Sequence, residues 1–366
     1  GVTGTPALPM DINYVRGGMW DMHHAWDMGN DISLKTDVFY QKMRHLMSNN
    51  ILRTPTNAMT NRTKVEAGGI SMALAMPFNS GQLTVGVDGD QSNHDANSTM
   101  TMMGGTSATN YFNKVERDRY SIFTEWAGAV SEDISVELGA RYTHTWSDAG
   151  DVSSEIAMGA TSRTNARNAF NALERTKNYN LVDLVAELQF NASSELDVNV
   201  GVARKNRAPT YQELYLWYGS AANAGFADGK TYIGDTGLEA ETAYQFDLGL
   251  DWHTADVYVA PNVFYHYVED YIMGQTSVKA QGGTGNDYDA DLQWSNIGGA
   301  QFFGAELEAG YKFTDHIRTD ASLNYVRGMR INALNGDDDL YRIAPLNGRL
   351  QLTYEESNWS TSMEGV

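Results

Sequence analysis

Tyr244-Gln245-Phe246-Asp247-Leu248-Gly249-Leu250-Asp251-Trp252-His253 decides the fold. Tyr244, Phe246, Leu248, Leu250 and Trp252 fall on one parity; Gln245, Asp247, Gly249, Asp251 and His253 fall on the other. Side chains on a strand alternate between faces with period two, so this segment is a strand with one apolar and one polar face. A soluble sheet would bury the apolar face, whereas a sheet in lipid would turn it outward. Other segments repeat the pattern. Ile134, Val136, Leu138, Ala140 and Tyr142 oppose Ser135, Glu137, Gly139, Arg141 and Thr143. Val182, Leu184, Ala186, Leu188 and Phe190 oppose Asp183, Glu187 and Gln189, and Ile317, Ala321, Leu323 and Tyr325 oppose Arg318, Asp320, Ser322 and Asn324.

Working outward, alternation and turn residues predict strands over 12–27, 31–47, 63–78, 82–92, 113–129, 133–147, 178–191, 195–206, 241–253, 256–273, 292–313, 316–331 and 341–355, with part of another from 358. Short turns fall at Gly29-Asn30, Asn79-Ser80-Gly81, Ser131-Glu132, Ala192-Ser193-Ser194, Thr254-Ala255, Thr314-Asp315 and Glu356-Ser357. Long connections fall at 48–62, 93–112, 148–177, 207–240, 274–291 and 332–340. Short and long take turns, as they do in an up-and-down barrel with one periplasmic and one external rim. Trp26, Phe78, Phe190, Trp252, Phe313 and Trp359 each sit beside a short turn, placing them in one ring at one membrane interface. The expected fold is therefore all-β: a transmembrane antiparallel β-barrel, partial, with about 13–14 strands of the roughly 22 found in plugged barrels, and without a plug domain. Residues 1–366 are read as one barrel domain truncated at both ends.

Composition narrows the function. The chain has 366 residues, no Cys and a formal charge of −20. No apolar run approaches the roughly 18–20 residues of a spanning helix, but barrel strands are only half apolar and escape that test. The acidic balance argues against a nucleic-acid partner. Absence of Cys removes disulfides and thiolate metal ligands. No nucleophile elbow or paired acid and base stands out, so the chain does not read as an enzyme.

Several stretches resemble TonB-dependent outer-membrane receptors. Arg207-Ala208-Pro209-Thr210-Tyr211-Gln212-Glu213-Leu214-Tyr215 is similar to the family's R-x-P-x-x-x-E-L-Y, and Gly234-Asp235-Thr236-Gly237-Leu238-Glu239-Ala240-Glu241 to G-N-x-x-L-x-P-E, with Ala240 in place of Pro. Phe264-Tyr265 with Val268, Asp270 and Ile272 resembles F-Y-x-x-V-x-D-x-I; Asn296, Gly298, Ala300, Gly304 and Glu306 resemble N-x-G-x-A-x-x-x-G-x-E; 343–350 resembles I-P-P-x-x-G-x-L. In the N-terminal half, His45-Leu46-Met47-Ser48-Asn49 resembles the H-x-M-[SD]-N stretch of the copper receptors of the NosA/OprC type, as do 8–12, Met19-Trp20 and 123–126. The resemblance implies that His45 and Met47 bind copper together with residues of a plug.

Donor chemistry agrees with that implication. His45 and Met47 are two residues apart, so they leave the same face as Ser33, Lys35, Asp37 and Gln41, with Met43 beside them. A thioether and an imidazole suit Cu(I) and tolerate Cu(II), and thioethers repel hard cations. Weaker candidates are Met19 and His23 on one face of the first strand, and His94, Met100, Met102 and Met103 in a connection expected to lie outside the cell. Met59 is expected in the loop after the ligand strand. Met72 and Met76 share parity with Ile70 and Leu74 and read as lipid-facing.

The expected function is TonB-dependent import of copper ions, carried as cargo with no organic cofactor, across the Gram-negative outer membrane. The expected partners are the TonB-ExbB-ExbD complex, reached through a plug and TonB box, and outer-membrane lipid and lipopolysaccharide, around a monomer. The alternative cargo is an iron-siderophore, cobalamin or haem, for which Tyr211, Tyr215, Trp217 and Tyr218 are candidate contacts. A barrel hydrolase and a passive porin are the other classes.

Overall fold

The computed structural model describes residues 2–5, 8–102, 105–155, 167–217, 219–220, 230–276, 292–331 and 338–366. Its long strands are β2 (Leu8–Gly29), β3 (Ile32–Ser48), β4 (Ala58–Phe78), β5 (Gly81–Met102), β6 (Gly105–Ala129), β7 (Ile134–Asp148), β9 (Lys177–Ser193), β10 (Leu196–Arg207), β13 (Glu241–His253), β14 (Val257–Glu269), β17 (Gly299–Lys312), β18 (Ile317–Arg330), β19 (Asn347–Glu356) and β20 (Trp359–Gly365). Each pairs antiparallel with the next in this order, and β1 (Val2–Thr5) and β8 (Ser154–Glu155) complete a 16-stranded sheet. A second sheet joins β11 (Gly219–Ser220), β12 (Thr231–Ile233), β16 (Leu292–Asn296) and β15 (Ile272–Thr276). No described helix is long and apolar enough to cross a membrane; the meander crosses with strands.

Register shows why one face is apolar. Trp26 lies opposite Leu34, Leu34 opposite Leu74, and Leu74 opposite Val85. Farther along, Leu138 lies opposite Ala186, Ala186 opposite Val202, and Val202 opposite Phe246. Residues directly opposite across an antiparallel pair share a face, so one apolar band runs the width of the sheet. Met72 joins it, lining an outward groove with Leu74, Val85, Val87 and Ile122. All six aromatics beside the short turns are exposed on it. The other parity carries ion pairs such as Arg141 with Asp88 and Arg119 with Asp90 (2.6 Å). A connecting segment covers that parity: Val115, Tyr179 and Leu181 pack in one buried cluster with Ala208, Leu214, Leu216, Tyr232 and Leu238, and Thr143 and Thr145 beside them on the same parity are buried. The polar face is therefore the inside.

Several sequence expectations are corrected. The region 93–112 is a ladder rather than a loop. β5 and β6 pair up to Met102↔Gly105, with Thr60 Oγ1 2.6 Å from Thr99 Oγ1 and Thr101 Oγ1 3.1 Å from Thr106 Oγ1. Threonine suits a strand as well as a loop, and polar residues on both faces erase the alternation. The connection expected over 48–62 is shorter, 49–57, since β3 runs to Ser48 and β4 begins at Ala58. The segment 256–273 breaks where Asp270 adopts φ 54°, and 292–313 breaks after Asn296, whose Nδ2 donates to Asp270 O at 2.6 Å. Residues beyond these breaks leave the wall for the small sheet. The strand expected from 341 begins at Asn347.

Candidate functional site

The inner face of β2 to β5 gathers most of the predicted soft ligands. The ladder reads as successive rungs. Gly17, Met43, Val65 and His94 form one; Val15, His45, Thr63 and Ala96 the next; Ile12, Met47, Asn61 and Ser98 the third. Met59 lies opposite Met100 one rung farther out. Met10, two residues before Ile12 and on its parity, reaches the same level. Adjacent strands stand about 4.8 Å apart, so His45, Met43, Met47 and His94 share one compact area of wall, with Met59, Met100 and Met10 at its outer end. A regular ladder does this because period-two alternation keeps every second residue inward over three consecutive strands.

Met10 and Met59 complete this patch, and both are almost fully buried, at 5% and 7% exposure. Met59 was expected in a loop; it is in β4 instead. Asn49 holds it there: Met59 N donates to Asn49 Oδ1 (2.7 Å), and Asn49 N donates back to Met59 O (3.1 Å). The same corner is tied to β2 by Arg53, which donates to both carboxylate oxygens of buried Asp11 (3.0 and 2.9 Å) and to Pro9 O (3.1 Å). The signal for Met10 was its parity with Ile12, hidden because an extra residue, Asn13, shifts the register there.

His94 is in β5, not in a loop. Its ring stacks on Tyr211 (centroids 4.1 Å apart, 14° between planes), and Phe112 meets Tyr211 edge-on at 5.1 Å. His94 Nδ1 is buried without a hydrogen-bond partner, leaving a nitrogen in the state a soft ion would use. Met100 and Met102 are also in β5, and Met103 lies outside the described residues.

Met19 and His23 face inward lower down. Met19 is largely exposed, opposite Gln41. His23 is engaged by carboxylates, its Nδ1 2.6 Å from Asp37 and its Nε2 3.3 Å from Asp21. The inner wall therefore changes character along its height, from thioether and imidazole at the outer end to carboxylate toward the short turns. Among the described residues no three His, Asp or Glu groups are placed to hold a metal ion together; the outer patch relies on thioethers, which hard cations refuse.

The mouth above is narrowed by the segment after β10. A short helix, Tyr211–Tyr215, begins with a capping box: Glu213 N donates to Thr210 Oγ1 (3.2 Å) and Thr210 N donates to the Glu213 carboxylate (2.7 Å). Arg207 clamps its base, donating to Glu213 (2.8 Å) and Glu241 (2.6 Å). Trp217 N donates to Tyr111 O and Tyr215 Oη to Arg175 O (2.7 Å), fixing the segment to the wall. Burial pushes the Tyr211 and Tyr215 hydroxyls above the ordinary phenol range. Tyr215 and Trp217 are completely buried, so they cannot contact cargo as the alternative reading expects; Tyr218 lies outside the described residues.

The family model for the β-barrel of TonB-dependent receptor-like proteins matches residues 4–366. The chain belongs to the TonB-dependent receptor family. Receptors of this family are outer-membrane transporters rather than enzymes. No curated protein sequence matches this receptor barrel. Among solved structures it is similar to the copper transporter OprC (TM-score 0.75, 21% identity, covering 97% of this chain and 52% of that one). It is also similar to the ferric citrate transporter FecA in its unliganded form (TM-score 0.63, 13% identity, 97% and 49% covered). The ferric yersiniabactin uptake receptor FyuA from Yersinia pestis is a third (TM-score 0.60, 15% identity, 98% and 49% covered). The receptor barrel described here thus spans about half the length of these relatives.

Proposed function

We propose that this barrel is the wall of a TonB-dependent receptor that imports copper ions. The observation that carries the reading is the inward grouping of His45, Met43 and Met47 with Met59, Met100 and His94. Thioether and imidazole donors select soft ions, and thioethers bind without losing a proton. Similarity to a copper transporter supports the same cargo. On this reading residues 1–366 form one barrel domain, with β1 and β20 at the two ends of the described sheet. A plug, absent from this stretch, completes the metal site and receives the pull of the TonB-ExbB-ExbD complex. His45 and Met47 would be the central ligands, with Met43 and His94 next to them. Met19 and His23 would receive the ion farther down. Likeness to ferric-chelate receptors favours an iron-siderophore as the second reading, but two of its aromatic candidates are buried in the wall cover.

The test is elemental analysis of the full-length receptor, wild type and His45→Ala with Met47→Ala. About one copper per molecule is expected, lost in the double variant. A wild-type receptor without copper under both reducing and oxidising conditions would sink the reading and leave the chelate.

A further inference from the structure

His94 differs from the other soft ligands in how its ring is held. A histidine that binds a metal ordinarily has its ring fixed by a hydrogen bond at the nitrogen that the metal leaves free. The Nδ1 of His94 is buried and has no such partner. Aromatic packing takes its place. Tyr211 lies flat against the imidazole, with 4.1 Å between centroids and 14° between planes, and Phe112 backs Tyr211 edge-on at 5.1 Å.

Both rings reach His94 through a local departure from regular structure. β5 and β6 slip out of register beside it: His94 lies opposite Val115, but Ala96 lies opposite Phe112. Asp95 of β5 therefore faces two residues of β6, Asn113 and Lys114. The extra residue reverses the parity of β6, so Val115 and Phe112, three apart, both face inward. Lys114 takes a left-handed φ of 46° there, and its N donates to Asp95 Oδ1 (2.9 Å). Asn113 anchors the bulge, donating from Nδ2 to Asp151 O (2.7 Å) and accepting at its own O from Gly150 N (2.8 Å). Bulges of this kind re-aim side chains beside functional sites. Tyr211 arrives from the other direction. It is the first residue of the capped helix, and Leu214 and Tyr215, three and four residues on, share its face. Both are completely buried, which fixes the roll of the helix and with it the Tyr211 ring.

We propose that Tyr211 is a positioning residue for His94: backed by Phe112, it holds the imidazole in place as a ligand of the soft ion. Met43 stands on the same rung as His94, two strands and about 10 Å away. Both side chains must lean inward together to meet one ion across that span. An imidazole free to turn about its side-chain bonds meets the requirement only part of the time. Stacking removes this freedom without occupying a ring nitrogen, as a hydrogen-bonding partner would. The inference rests on the copper reading, and it adds a residue of the cover to a site otherwise built from the wall.

The experiment is a double-mutant cycle in the full-length receptor, with copper affinity read by competition against a chelator of known strength. Tyr211→Leu is expected to weaken copper binding by about tenfold, the lower end for residues that orient a metal ligand, and Tyr211→Phe, which keeps the ring, by less than about twofold. In a His94→Ala background, Tyr211→Leu causes no further loss. Pulsed EPR of the Cu(II)-loaded protein counts coordinated imidazoles, and Tyr211→Leu and His94→Ala each show one fewer than wild type. A merely structural role would leave that count unchanged. Heat-modifiable migration on gels confirms that each variant is folded; if Tyr211→Leu is not, Phe112→Leu, which withdraws the ring behind Tyr211, enters the same cycle with the same expectation. Equal loss in the two backgrounds, or unchanged affinity in the folded variant, overturns the inference, while copper bound by wild type leaves the import reading standing. A wild type that binds no copper ends both.

Discussion

Lys42-Met43-Arg44-His45 is four consecutive residues serving two solvents. Met43 and His45 face the inner side of the wall; Lys42 and Arg44 face its outer side. The neighbouring strand does the same, with Thr63 and Val65 inward and Arg62 and Lys64 outward. The two faces differ in every respect but backbone. Inside, soft donors share one stretch of wall, with His94 stacked on Tyr211 of the covering segment; outside, cations stand above an apolar band, Lys42 held by Glu66. A wall one residue thick keeps these chemistries apart with no other device than alternation, so the register of β2–β5 is itself a functional property.

The sharpest way to break the contrast is to put charge on the wrong side. Leu74 lies in the outward band between Leu34 and Val85. Leu74→Arg should destabilise the barrel by about 2–4 kcal/mol, whereas Ser71→Arg, inward between Asp37 and Asp88, should change stability by less than about 1 kcal/mol. Urea unfolding of the full receptor in lipid vesicles measures both; equal penalties would mean the faces are misassigned. Next in size is Arg53→Ala, which strands the Asp11 carboxylate in a buried position. The guanidinium is partly exposed, so the expected loss is about 2 kcal/mol rather than the larger figure for fully buried pairs. It should appear first as faster proteolysis in 49–57 and weaker copper retention, since that corner holds Met59. Thr210→Ala removes one half of the capping box and should cost about 1 kcal/mol, seen as faster amide exchange confined to 211–217.

The membrane-embedded part of the wall was legible in the sequence because lipid demands strict alternation there. Leu74, Val85 and Ile122 announce their face, as do the turn-side aromatics such as Trp26 and Phe313. Above the membrane both faces meet water or other protein, alternation lapses, and Thr99, Thr101 and Thr106 look like loop residues although they pair. The breaks at Asp270 and Asn296 were hidden for another reason: a single left-handed residue and one side-chain hydrogen bond decide them, and neither disturbs hydrophobic periodicity. Of the site, His45, Met43 and Met47 were readable because they share one strand. Met10, Met59 and His94 required the register of three other strands, which no local pattern contains.

The β5–β6 ladder has one more consequence. β5 runs for 22 residues and β6 for 25, about twice what a bilayer needs, so their paired ends stand clear of the cell surface. A hydrogen-bonded ladder presents the same side chains in the same places from one molecule to the next. Anything that meets the rim there meets a fixed surface, rooted in β5, the strand that carries His94 and Met100.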